Sequence, residues 1–186
     1  MGDSMNRDDL ALEIYKISHL TGNFLLRSGQ TSNEYFDKYL FESNPKILAA
    51  IADHMSKLIP QDTEVLAGLE MGGIPIATAL STKTGIPVVF VRKKPKEYGT
   101  CKLAEGIDII GKNICIIEDV ITTGGQIILS GKDLKEIGAR VKNVAGVILR
   151  SDEGRVNLQE AGLDLKALFT MQELIEFSKL ESYQNL

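Results

Sequence analysis

Apolar positions follow two different periods along this chain. Leu10, Ile14 and Ile17 recur at helical spacing and predict a helix over 8–20, with Asp8 able to cap its start and Gly22 to stop it. The run "FLLRSGQTSNEYFDKYLF" then reads as two short β-like pieces around a polar turn at 28–33. Pro45 sits at a first helical turn and opens a second helix to about Leu58, which Pro60-Gln61-Asp62 ends. From there strands and helices alternate. Strands are expected at 64–69, 87–92, 111–119, 141–150 and 165–170. Helices are expected at 74–85, 124–137, around 158–161 and at 171–178. Apolar strands alternating with helices predict an α/β architecture, a parallel sheet with helices on both faces. The break in regularity is 93–110, a long polar loop of the kind that serves as a lid in compact domains. No repeat or linker divides the chain, so one domain is expected over 1–186, with its core at about 45–170.

Composition narrows the classes. The chain has 186 residues, 44% hydrophobic and 25% charged, which suits one domain with a sizeable core. The formal net charge of -4 and a pI of about 5.3 disfavour a nucleic-acid partner. Cys101 and Cys115 stand in no metal-ligand spacing and read as reduced thiols, which fits the cytoplasm. The start "MGDSMNRDD" carries neither the basic residues nor the apolar stretch of a secretory signal, and no apolar run reaches membrane-spanning length.

The candidate chemistry gathers in "NICIIEDVITTGGQ", 113–126. In open α/β sheets ligands bind beyond the carboxyl ends of the strands. Glu118 and Asp119 hold that position here, and Thr122, Thr123, Gly124 and Gly125 turn into the next helix. Glycines let backbone N–H groups close on an anion, and a helix N-terminus adds partial positive charge, so the turn suits a phosphate. Carboxylates beside it would repel a phosphate but would meet hydroxyls or a magnesium ion. A ribose 5-phosphate satisfies both demands. The plain alternative is an ordinary capped turn with solvated acids. No Gly-Lys-Ser/Thr follows, so this is not a Walker loop.

"CIIEDVITTGGQ" resembles the signature of type I phosphoribosyltransferases, which bind 5-phosphoribosyl 1-diphosphate (PRPP). "GNFLLRSGQTSNEYFD", "GIPIATALS", "VRKKPKEYGTCKLAEG" and "GVILRSDEG" resemble orotate phosphoribosyltransferases, in the same order, from about Gly22 to Leu174. The resemblance implies the type I phosphoribosyltransferase fold, a parallel-sheet core plus a small N-terminal hood at about 21–41. It also implies Mg²⁺ held mainly through PRPP and water, with no direct protein ligand, and a homodimer with shared active sites. The substrates implied are PRPP and orotate. A transferase for another base, purine or uracil, and a PRPP-sensing regulatory module are the rival readings. The second usually carries a basic helical DNA-binding segment, and none is visible here.

Carried over residue by residue, the resemblance makes Arg92, Lys93, Lys96 and Tyr98 a PRPP-binding set, with Tyr98 where many relatives have His. The basic cluster itself reads as a diphosphate clamp, since Arg grips oxygens bidentately and Lys supplies a movable charge; a solvated loop is the alternative. Glu118, Asp119, Val120, Ile121, Thr122, Thr123, Gly124, Gly125 and Gln126 form the ribose-phosphate segment. Gly72 and Gly73 match the diphosphate loop, where several relatives have Lys in place of Gly72; a plain strand-to-helix turn is the alternative. Arg27, Tyr35, Phe36, Thr122 and Arg150 are the orotate set, with core packing the equal alternative for Phe36. Leu149 stands where relatives commonly have Asp before that Arg. Lys96, Glu118 and Asp119 are the catalytic candidates. His19 and His54 fall outside every motif and read as structural or surface residues on helices.

Overall fold

The computed structural model describes residues 5–26, 28–94 and 102–184. The first helix, α1 (Arg7–Ser18), is capped by Asn6, whose side chain accepts from the Asp9 N–H at 2.8 Å, rather than by Asp8. It ends two residues before the expected Leu20. His19 takes an extended conformation, stacks on Tyr15 at 4.8 Å and begins β1 (His19–Leu25). Gly22 therefore lies inside a strand. β1 pairs antiparallel with β2 (Thr31–Phe36), and the register shifts between Thr21 and Phe24, the kind of irregularity a strand glycine tolerates. These two strands form the hood.

A short helix the hydrophobic pattern does not show, α2 (Lys38–Glu42), leads from the hood to α3 (Pro45–Met55). The core then runs β3 (Val65–Leu69), α4 (Gly73–Thr84), β4 (Val88–Val91), β5 (Ala104–Glu105), β6 (Asn113–Ile121), α5 (Gly125–Glu136), β7 (Arg140–Leu149), α6 (Asp152–Glu160), β8 (Asp164–Thr170) and α7 (Met171–Gln184). The six-stranded sheet has the order β5-β4-β3-β6-β7-β8. All its pairings are parallel except β4 with β5, a two-residue edge strand inside the segment expected to be loop. The sixth helix begins well before Leu158: Ser151 caps it, and its polar composition hides it from a hydrophobic pattern.

Strand alternation sorts the core into two layers. Cys115 and Ile117 face a layer with Leu10, Ile51, Ile76, Leu80 and Leu174, from α1, α3, α4 and α7. Ile114 and Ile116 face the other, with Ile127, Leu134 and Leu158 from α5 and α6. Burying each such side chain contributes about 1.5–3 kcal/mol, so a sheet covered on both faces is what the near-continuous apolar strands require. Cys115 is a free thiol whose pKa burial pushes up to about 12, which leaves it inert.

Candidate active site

The carboxyl ends of β3, β4, β6 and β7 meet on one edge of the sheet, where a cavity of about 330 Å³ opens. Lys38, Glu70, Lys93, Glu118 and residues 120–127 line it. The loop from Thr122 to Gly125 is its floor. Gly124 has φ +76, a region that L side chains rarely adopt, and it starts α5 without any side-chain cap. The first N–H groups of a twelve-residue helix are thus left open toward the cavity, as an anion site requires. Asn157 braces the loop by donating to the Thr123 carbonyl at 2.9 Å.

The two adjacent acids lie differently. Glu118 is half-buried, lines the cavity and accepts from the Asp119 N–H at 3.1 Å. Asp119 was expected to face the ligand, but it is fully buried. Alternation along β6 sends it to the face of Cys115 and Ile117, where α4 begins. A Cβ built on Gly72 would overlap the Asp119 carboxylate, and one built on Gly73 would overlap the Ile117 carbonyl. Both glycines are therefore required for close approach. Lys38 Nζ covers Asp119 from the hood side, 2.5 Å from Oδ2. Glu42, one helical turn on, is buried with Oε1 against the same spot.

The protons in this cluster are unevenly shared. Burial, reinforced by the hydrogen bond and charge of Asp119, pushes Glu42 up to about 9. The same two causes move Glu118 upward. For Asp119 burial acts upward too, but hydrogen bonds from Glu118, Glu42 and Lys38 outweigh it and hold the carboxyl below its ordinary range. Burial would lower Lys38, yet its hydrogen bond to Asp119 and that residue's charge carry it upward. Burial thus favours the proton on Glu42 near neutrality, while Lys38 and Asp119 stay paired as ions.

Other expected residues are placed less directly. The Lys93 N–H donates to Glu70 Oε1 at 2.8 Å, which sets Lys93 at the cavity rim. Arg92 is turned to Glu105, with Nε 3.5 Å from Oε1, and is not among the lining residues. Tyr35 is exposed and stacks on Phe24 at 5.5 Å, while Phe36 packs on the core beside Phe41. Arg150 is exposed just past β7, and its N–H donates to the Ile121 carbonyl at 2.7 Å, beside the turn at 122–125. Leu149 is buried in the core. His19 belongs to a strand rather than a helix, and His54 meets the Met5 carbonyl at 2.9 Å. Arg27, Lys96, Tyr98 and Cys101 lie outside the described residues. Lys38, Glu42, Glu70 and Asn157 are the site residues that sequence reasoning missed.

The phosphoribosyl transferase domain family matches residues 40–160, which span the hood helix, the cavity and α6. That defines the class. Among its members, the orotate phosphoribosyltransferase of a Nocardioides species is 50% identical over 89% of this chain and 92% of its own. That of Methanocella arvoryzae is 42% identical over 84% of this chain and 89% of its own. The crystal structure of Mycobacterium tuberculosis orotate phosphoribosyltransferase with Fe(III) dicitrate superposes with a TM-score of 0.82, at 28% identity, covering 90% of this chain and 98% of that one. The same protein in complex with PRPP gives 0.77 at 26% identity, with the same coverage. The chain belongs to the orotate phosphoribosyltransferase family.

Proposed function

We propose that the protein transfers the 5-phosphoribosyl group of PRPP to orotate, giving orotidine 5'-monophosphate and diphosphate for UMP synthesis. The observation that carries this reading is the cavity, where the uncapped start of α5 stands opposite Glu118 and Lys93. The phosphate of the sugar docks on residues 122–126, whose N–H groups are already oriented. Glu118 borders the cavity where ribose hydroxyls would arrive, and Asp119 is buried behind it. Gly72, Gly73 and Lys93 border the leaving diphosphate, and Arg150 is positioned at the strand end for the carboxylate of the base.

The C1–oxygen bond to diphosphate breaks as the C1–N1 bond to orotate forms, and the N1 proton passes to water. Positive charge develops on the sugar, and the buried negative charge of Asp119 favours that state over the ground state. Lys93, joined by Lys96 of the 93–110 segment, neutralises the departing diphosphate. The donor set fits Mg²⁺ as an ion carried in by PRPP. Glu118 borders the cavity where that ion would arrive. When bound, the ion would offset the negative charge of the diphosphate as it leaves.

The reading includes a homodimer acting in the cytoplasm, with the 93–110 segment of one subunit completing the partner's site. Among the described residues no helix is long and apolar enough to cross a membrane. The test is a transfer assay with PRPP and Mg²⁺ against orotate, uracil, hypoxanthine, xanthine and adenine. Turnover with orotate alone supports the proposal. Turnover with another base and none with orotate overturns it.

A further inference from the structure

Lys38 stands on a five-residue helix that links the hood to the core, and it lines the cavity together with Lys93. Its Nζ lies 2.5 Å from Asp119 Oδ2, and the Asp119 carboxylate in turn lies against Gly72. The ammonium is therefore beside the glycine pair at the start of α4, the segment that borders the leaving group. Gly72 brings no charge of its own, and a side chain there would collide with Asp119 as it now lies.

An ammonium has three donors on a flexible stem. One is engaged by Asp119. A third of the Lys38 side-chain surface remains open, and the residue lines the cavity. Glu42, buried behind the pair, keeps its proton near neutrality and so adds no further negative charge beside Lys38. An arriving dianionic group adds the attraction that the pocket lacks.

We propose that Lys38 is a diphosphate-binding residue of this site, supplying from the hood the cation that Gly72 leaves out of the loop while it still holds Asp119 in place. The ligand class is an inorganic or sugar-linked diphosphate. This rests on the transferase reading above. It also ties the hood to the core at the moment of binding, because the same side chain bridges Asp119 of β6 and the ligand.

The test is calorimetric titration of the full chain with inorganic diphosphate and Mg²⁺, and separately with ribose 5-phosphate. Lys38→Met and Lys38→Gln are compared with wild type and with Lys38→Arg. Loss of one charge-assisted contact should weaken diphosphate binding roughly 10- to 100-fold in the Met and Gln variants. Lys38→Arg should retain most of the affinity, and the KM for PRPP should rise in Lys38→Gln while that for orotate changes little. Lys38→Gln keeps a donor for Asp119, so it serves where the Met variant does not fold. Unchanged diphosphate affinity in folded Lys38→Gln overturns the inference, even if ribose 5-phosphate binding falls, since Lys38 would then act only through Asp119. A wild type that binds no diphosphate and transfers no phosphoribosyl group overturns the transferase reading itself.

Discussion

Gly72 lays its bare Cα against the carboxylate of Asp119: a Cβ there would overlap the acid and lie 2.9 Å from Glu42 Oε1. With φ -71 and ψ -28, Gly72 occupies backbone space open to any residue, so room rather than conformation demands the glycine. Gly72→Ala is expected to push Asp119 away from Lys38. Overpacking of this kind costs about 1–3 kcal/mol. A lower Tm together with turnover reduced about tenfold or more would be consistent with a displaced acid that stabilises the transition state. Wild-type stability and turnover in Gly72→Ala would mean that Asp119 moves aside freely.

Asp119→Asn keeps the shape and removes the charge that Lys38 is paired with. The buried oxygen is lost to the pair, but a third of the Lys38 side chain reaches solvent, so the cost should be modest, about 1–3 kcal/mol. Turnover should fall far more than stability if the carboxylate, as proposed, favours positive charge on the sugar. Denaturant unfolding and steady-state rates on the same samples separate the two effects. In a double-mutant cycle with Lys38→Met, the two stability losses should fall short of adding. Full additivity would show that the pair contributes nothing to the fold.

Glu42 predicts a pH signature. Its folded-state pKa of about 9 stands above the ordinary 4.5, so the folded protein holds a proton the unfolded chain releases. The stability this contributes is fully present below about pH 4.5 and is lost as the pH rises through 9. The slope from one proton can reach about 1.4 kcal/mol per pH unit. Glu42→Gln has no proton to lose and should flatten the decline between pH 5 and 9. Urea unfolding at intervals across this range measures it, and parallel curves for the two proteins would place the ionised form of Glu42 in the native state.

The sheet and the alternation of its strands and helices are legible because apolar runs alternate with turn residues, and the cavity edge is marked by acids followed by Thr-Thr-Gly-Gly at a strand end. What escaped has physical reasons. Lys38 and Glu42 sit on a helix too short to show a period, and their meeting with Asp119 is a tertiary event 77 or more positions away in sequence. The burial of Asp119 follows from which face of β6 it takes, and the strand run offers no cue to how far α2 covers that face. Arg92 pairs with Glu105 across a two-residue strand that no pattern of that length can reveal. The buried Leu149 belongs to the packing of β7 and leaves Arg150, its neighbour, as the exposed polar residue there.

Shared active sites would appear in a mixing experiment. Lys96→Ala and Asp119→Asn proteins, each inactive and each folded at the assay temperature, are combined under conditions where subunits exchange. If the 93–110 segment of one subunit serves the partner's cavity, a mixed dimer has one cavity free of both lesions, and up to about a quarter of wild-type activity should return by simple statistical pairing. Demonstrated exchange without recovery would assign each segment to its own subunit.

Arg150 is expected to decide the choice of base. It emerges at the carboxyl end of β7, tied by its N–H to Ile121 at 2.7 Å, and is therefore held beside the turn at 122–125 proposed to take the sugar phosphate. A guanidinium at that point can pair with a carboxylate through two parallel hydrogen bonds. Losing such a partner in a desolvated site costs roughly 2–4 kcal/mol. Arg150→Ala should raise the KM for orotate or lower turnover steeply and leave PRPP binding nearly unchanged. Arg150→Lys should recover only part, because an ammonium lacks the fork. Because the side chain is exposed and the core neighbour is Leu149, the fold should tolerate both changes, so the kinetic loss can be read as binding. Equal kinetics with orotate for wild type and Arg150→Ala would hand recognition of the base to Arg27 or Arg155. A larger effect on PRPP than on orotate would move Arg150 to the phosphate side of the reaction.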